Sequence, residues 1–123
     1  MLVKPSFNPP SWVFGPVWTL LYILMGIAAF LVWQKGWDSR FVRAALVLFA
    51  VQLILNGMWS ILFFGMQSPG LALVEIAILW LSILATLLLF WRVVPFGGML
   101  LLPYAAWVTF AAVLNGSIWI LNR

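Results

Sequence analysis

The sequence of 123 residues contains no cysteine and no histidine, and its only acidic residues are Asp38 and Glu75. Without cysteine, disulfides and thiol chemistry are excluded, and the usual protein ligands of zinc, copper and haem iron are missing as well. Two acids cannot assemble the paired-carboxylate machinery of a hydrolase within one chain. We therefore expect no metal site, no catalytic residues and no required cofactor.

Charged residues are also scarce, at 7% of the chain, while 67% of the residues are hydrophobic. Soluble domains are about 25% charged, and a soluble protein of this size has too little interior to bury so many apolar side chains. A lipid bilayer removes this conflict, because the outer surface can then be as apolar as the interior. The net charge of +4 comes from too few basic residues to follow a phosphate backbone, so nucleic acid is not an expected partner. The composition predicts an integral membrane protein in contact with lipid.

Four apolar segments are long enough to cross a bilayer, which requires about 20 residues in a helix. The four predicted helices of this all-α bundle cover residues 11–33, 41–64, 71–91 and 96–121. Their short connections force neighbouring helices to be antiparallel, within a single domain of residues 1–123. Four lysine and arginine residues lie around the connections 34–43 and 92–95, against two at the chain ends. This difference favours a cytoplasmic location for both connections.

The chain is rich in tryptophan, with nine residues. Five lie near predicted helix ends, where indole side chains anchor proteins at the membrane–water interface: Trp12, Trp33, Trp37, Trp91 and Trp119. The other four lie well inside predicted helices: Trp18, Trp59, Trp80 and Trp107. Either core packing or a bound ligand can account for these four.

The second predicted helix carries polar residues at successive four-residue steps, Gln52, Asn56 and Ser60, with Trp59 and Phe63 beside them. At about 100° per residue, all five share one helical face. This face cannot point at lipid, because its amide groups would have no hydrogen-bond partner there. Two interpretations remain open. The amides hold neighbouring helices together by hydrogen bonds, or the face lines a cavity.

The fourth predicted helix has a matching face, formed by Tyr104, Trp107, Ala111 and Asn115. Together with Trp18 on the first helix, the two faces would enclose a mostly apolar pocket with a few polar groups, which is typical of a small-molecule site. Large aromatic side chains favour a large, flat ligand that stacks on them.

Glu75 has two interpretations of its own. It follows the turn residues Pro69 and Gly70 closely, which favours a position at headgroup level or at the positive end of the third helix. Alternatively, it is the proton-coupling group of a small exporter, since acidic residues at membrane depth often carry protons.

Several blocks of the sequence closely resemble the TspO/MBR family of tryptophan-rich sensory or translocator proteins. The blocks are residues 9–22 (PPSWVFGPVWTLLY), 25–28 (MGIA), 31–33 (LVW), 52–64 (QLxxNxxWSxxFF) and 103–115 (PYxxWxxFAxxLN). They occur in the order of the family and span nearly the whole chain. Such a long joint pattern is far more specific than any single short motif.

The resemblance implies a five-helix transmembrane bundle, often dimeric, that binds porphyrins such as protoporphyrin IX. Trp18, Asn56, Trp59, Ser60 and Trp107 match pocket residues of the family. The family has a further spanning helix before the segment that Leu2–Pro5 resembles, so we expect either a longer chain or a four-helix relative. Cholesterol binding is not expected, because neither tyrosine is followed by a lysine or arginine at the required spacing.

The leading hypothesis from the sequence is a homodimeric, multi-pass protein of a bacterial cell membrane that binds a tetrapyrrole for transport, sensing or regulation. The expected ligand-binding residues are Trp18, Asn56, Trp59, Ser60, Phe63, Tyr104, Trp107, Ala111 and Asn115. A metal-free porphyrin is favoured, because the chain has no histidine or cysteine to coordinate haem iron. The alternatives are a light-dependent porphyrin-degrading enzyme, a proton-coupled exporter that uses Glu75, and a structural subunit without a ligand.

Overall fold

The computed structural model describes residues 11–65 and 69–122, which are helical apart from short connections. The helices are α1 (Ser11–Trp33), α2 (Arg40–Ser60), α3 (Pro69–Val93), α4 (Pro95–Leu100) and α5 (Leu102–Asn122). A π-helical turn, Ile61–Gly65, continues α2. The segments α1, α2, α3 and the combined α4–α5 are each long and apolar enough to cross a membrane. The helical membrane fold predicted from the sequence is therefore confirmed.

Helix α3 lies at the centre of the bundle and packs against α2, α4 and α5, while α1 packs against α4 and α2. The inner side of α3 contributes fully buried side chains such as Ile76, Ile83 and Phe90 to the core. Its outer side exposes Leu81 and Leu88 by 61% and 66%, as expected for a surface that faces lipid. The backbones of α2 and α5 come close at few points, so long side chains must bridge the space between these two helices.

The first turn of α2 is capped by a side chain. Ser39 has an extended backbone conformation, and its Oγ accepts a hydrogen bond from the backbone N–H of Val42 at 3.5 Å. A serine at this position satisfies one of the four N–H groups that a helix start leaves without a partner. The helix consequently begins at Arg40, one residue before the predicted start.

The fourth predicted helix is divided into α4 and α5 at Leu101, which differs from the single helix expected over residues 96–121. Pro103 explains the position of the break. It has no N–H to donate to the carbonyl of Met99, and it disfavours helical geometry at the residue before it. The N–H of Leu101 instead bonds the carbonyl of Gly98 in a tighter turn, at 3.1 Å.

Candidate functional site

The polar faces of α2 and α5 meet through a hydrogen-bonded group that we call the tyrosine–amide cluster, formed by Tyr22, Gln52, Asn56 and Tyr104. The hydroxyl of Tyr104 donates to Oε1 of Gln52 at 2.5 Å and accepts from Nδ2 of Asn56 at 2.8 Å. The hydroxyl of Tyr22 on α1 donates to Oδ1 of Asn56 at 3.1 Å. The cluster therefore joins three membrane-spanning segments.

The two buried amide side chains of α2 are held by hydrogen bonds to other helices. Gln52, Asn56 and Tyr104 are at most 2% exposed, and each amide has a partner on another helix. The Nε2 atom of Gln52 also lies 3.9 Å from the sulfur of Met25, which is a weak acceptor. Hydrogen bonding between helices, one of the two interpretations left open by the sequence, is thus the arrangement observed.

A second polar link joins α2 and α5 further along both helices. The Nε1 atom of Trp59 donates to Oδ1 of Asn115 at 2.9 Å, and both side chains are buried. Trp80 makes a comparable link between α3 and α5, since its Nε1 donates to Oγ1 of Thr109 at 2.8 Å. Trp80 is thereby accounted for by helix packing, without a ligand.

Aromatic rings form a surface beside the tyrosine–amide cluster. The rings of Trp18 and Trp107 lie edge to face, with centroids 6.5 Å apart and planes at 89°. Trp18 also contacts the ring of Tyr104 at 6.3 Å, and Trp107 contacts Phe110 at 5.4 Å. Trp18 and Trp107 are only partly buried, so each has ring surface that a ligand could cover.

The remaining predicted site residues occupy different surroundings. Ala111 is buried one turn after Trp107, and Ser60 is partly buried at the last position of α2. The side chain of Phe63 lies outside the described part of the structure. The structure therefore brings together Trp18, Tyr104 and Trp107 by ring contacts, Asn56 with Tyr104 by a hydrogen bond, and Trp59 with Asn115 by another.

Tyr22 belongs to the cluster but was not among the predicted site residues. It lies one helical turn after Trp18, and the two rings are 5.7 Å apart. This four-residue spacing was visible in the sequence and would have placed Tyr22 on the same face as Trp18. Its partner Asn56 could not have been identified in the same way, because that contact joins residues 34 positions apart.

Glu75 is buried in the bundle with 7% of its surface exposed. It lies six residues after the first residue of α3, which is beyond the first turn, where the positive end of a helix acts. Neither of its carboxylate oxygens has a hydrogen-bond partner among the residues that the structure describes. The structure thus places Glu75 inside the protein and away from the helix start.

Comparison with known proteins identifies the family. The model of the TspO/MBR family matches residues 1–120. The chain is 53% identical over 121 residues to the tryptophan-rich protein TspO of Chlorobaculum tepidum, covering 98% of this chain and 77% of that protein. It is 41% identical over 120 residues to the translocator protein of Homo sapiens (96% and 70%) and 40% identical over 121 residues to the tryptophan-rich sensory protein of Cereibacter sphaeroides (98% and 74%).

These relatives match nearly the whole chain. One is named a translocator protein and another a sensory protein, and none of the three is named as an enzyme. Together with the four apolar segments, the similarity to the bacterial C. tepidum protein supports a multi-pass protein of a bacterial membrane. The resemblance found in the sequence blocks is confirmed, and the chain belongs to the TspO/MBR family.

Proposed function

We propose that this protein binds a metal-free porphyrin or a similar tetrapyrrole at the aromatic surface beside the tyrosine–amide cluster. The observation that carries the proposal is the edge-to-face pair of Trp18 and Trp107. A flat ring laid on the face of one indole meets the edge of the other, and both contacts are favourable for aromatic rings. The partial exposure of both indoles leaves ring surface for this contact.

The polar groups next to the indoles support the same ligand class. The ring of Tyr22 lies 5.7 Å from that of Trp18, and its hydroxyl donates to Asn56. Tyr22 is 46% exposed. A few polar groups next to apolar ring surface are typical of small-molecule sites. In this proposal the aromatic rings bind the face of the ligand, and the hydroxyls of Tyr22 and Ser60 bind its polar edge. Asn56 is buried and bonded to both Tyr22 and Tyr104, so its role is to position the hydroxyl of Tyr22.

The proposed role is sensing or translocation of the tetrapyrrole, after the names of the sensory and translocator relatives, in a protein that acts as a homodimer. Catalysis is not part of the proposal, because the chain has no histidine or cysteine and only two acidic residues. Degradation would replace binding as the proposed function if illumination bleached the bound porphyrin in proportion to the amount of protein and a Trp18→Phe variant abolished this bleaching.

The proposal is tested by titrating the purified protein with protoporphyrin IX and following tryptophan fluorescence and porphyrin absorbance. We expect saturable quenching, with the half-saturation concentration raised about tenfold in Trp107→Ala through loss of a stacking contact. Trp33→Ala is the matched control, because Trp33 is 59% exposed at the end of α1. If Trp107→Ala and the control titrate alike, the proposed site is wrong.

The burial of Glu75 without a hydrogen-bond partner among the described residues favours one further candidate, a proton-coupled exporter. A carboxyl group in this position is typical of the proton-carrying residues of transporters. The test is porphyrin efflux from proteoliposomes driven by a proton gradient, with Glu75→Gln as the variant and Asp38→Asn, in an exposed connection, as the control. Full gradient-driven efflux in Glu75→Gln would exclude this candidate.

A further inference from the structure

A pocket of about 290 Å³ lies at the opposite end of α1 from Trp18, where the α1–α2 connection meets the end of α3. Its lining residues are Lys35, Ser39, Phe41, Val42, Arg92 and Val93. Two lining side chains are cationic and none is acidic. The pocket is formed by the α1–α2 connection, the first turn of α2 and the last turn of α3, so residues far apart in the sequence meet there.

The two cations of this basic pocket have no acidic partner in the part of the chain that the structure describes. Neither Lys35 nor Arg92 forms an ion pair with a carboxylate among the described residues, and the side chain of Arg92 lies over the ring of Phe41, with its guanidinium carbon 5.7 Å from the centroid. That contact holds the guanidinium without cancelling its charge. Arg43, by contrast, is occupied by hydrogen bonds to the carbonyls of Trp37 and Asp38 and does not line the pocket.

The helix ends around the pocket do not change the sign of its charge. The start of α2 contributes about half a positive charge and the end of α3 at Val93 about half a negative charge, so these contributions offset each other. Lys35 and Arg92 therefore set the sign of the electrostatic potential in the pocket. Arg40, whose guanidinium carbon lies 5.4 Å from the ring centroid of Phe41, adds positive charge beside it. A pocket lined by two cations and the hydroxyl of Ser39 fits a phosphate group, whose oxygens accept hydrogen bonds from all three side chains.

Exposed tryptophans show where the pocket lies relative to the membrane. Trp33, Trp37 and Trp91, at the same end of the bundle, are 59%, 54% and 43% exposed. Indole side chains at helix ends lie at the level of the lipid headgroups. A basic pocket between helix ends at this level is within reach of the phosphate of an anionic phospholipid.

From this geometry we propose that the basic pocket binds a phosphate group, presented by the headgroup of an anionic phospholipid such as phosphatidylglycerol. The site is separate from the aromatic surface near Trp18 and does not depend on tetrapyrrole binding. Lys35 and Arg92 neutralise the phosphate, and Ser39 donates a hydrogen bond to it. The partly exposed side chain of Val93, which lines the pocket, contacts the uncharged part of the headgroup.

The test is native mass spectrometry of the purified protein in neutral detergent with equal amounts of phosphatidylglycerol and phosphatidylcholine of the same acyl chains. We expect preferential retention of phosphatidylglycerol, and a fall in that preference of about fivefold in Lys35→Gln or Arg92→Gln, since one cation is removed in each. Arg43→Gln is the matched control, because it removes one positive charge from the same end of the molecule at a residue that bonds the carbonyls of Trp37 and Asp38 outside the pocket lining. Arg92→Lys, which keeps the charge, should retain most of the preference.

A competition arm with inorganic phosphate distinguishes the two sources of the anion. Displacement of phosphatidylglycerol by millimolar phosphate supports a site that also accepts free phosphate, and retention supports recognition of the lipid. Equal effects of Arg43→Gln and Arg92→Gln would overturn the proposal, because the preference would then come from the general surface charge. Absence of any preference for phosphatidylglycerol, with no effect of phosphate, would also overturn it.

Discussion

Replacement of Tyr104 by phenylalanine tests whether the tyrosine–amide cluster stabilises the bundle. The substitution keeps the ring that packs against Trp18 and removes only the hydroxyl. That hydroxyl bonds Gln52 and Asn56 at 2.5 and 2.8 Å within a region that is almost completely buried. After the substitution, Gln52 loses its partner on α5, and Asn56 keeps only the bond from Tyr22.

The expected loss of unfolding free energy follows from these two bonds. Hydrogen bonds between side chains within membranes average about 0.6 kcal/mol and reach about 1.7 kcal/mol. Two bonds therefore give a loss of about 1–3 kcal/mol. The upper part of the range is favoured, because Oε1 of Gln52 stays buried without the hydroxyl that donated to it. Tyr22→Phe, which removes one bond at a partly exposed position, should cost about 0.5 kcal/mol.

The assay is reversible unfolding of the purified protein in mixed micelles with increasing dodecyl sulfate, followed by circular dichroism. A double-mutant cycle between Tyr104→Phe and Gln52→Leu isolates the energy of their bond, which we expect to be about 0.5–1.7 kcal/mol. The reasoning is refuted if Tyr104→Phe destabilises no more than Tyr22→Phe and the cycle gives no coupling. In that case the cluster would not hold the helices together.

Two further substitutions test other contacts in the same unfolding assay. Gly98→Ala should lower the free energy of unfolding by about 1–3 kcal/mol, because a Cβ at Gly98 would lie 2.8 Å from the backbone and side chain of Trp91. Gly57→Ala is the control and should not destabilise the protein, because a Cβ there meets nothing within 4 Å. Equal effects at both positions would contradict this packing. Trp59→Phe should lower the free energy of unfolding by about 1 kcal/mol, because it removes the hydrogen bond to Asn115. An unchanged unfolding midpoint would show that this bond contributes nothing.

The break before α5 shows which part of the fold depends on local chemistry. A proline at position 103 predicts a disturbance of the helix from the sequence alone, because its ring and missing N–H act on the preceding turn. The sequence did not show that the helix divides at Leu101. The site of the break also depends on how α4 packs against α3, where Gly98 permits a close approach to Trp91.

The candidate site likewise has features that the sequence predicts and features that only the structure shows. The four-residue spacing of Gln52 and Asn56 identified an inward face, since lipid offers no hydrogen-bond partners to an amide. The spacing of Tyr104 and Trp107 identified the matching face on α5. The sequence could not show which side chains on the two faces bond to each other. Helical periodicity shows which residues share a face, but it does not give the rotation and depth at which two helices meet.

By itself, the sequence determined that the chain crosses a membrane in four apolar helices and belongs to the TspO/MBR family, because composition, length and motif order are properties of the linear chain. Only the tertiary structure decided that Tyr104 bonds the amides of α2, that Glu75 is buried, and that Lys35 and Arg92 share a pocket. The physical reason is that these contacts join residues up to 57 positions apart, counting from Lys35 to Arg92 (92 − 35). Their geometry is set by the packing of whole helices, and no local pattern encodes it.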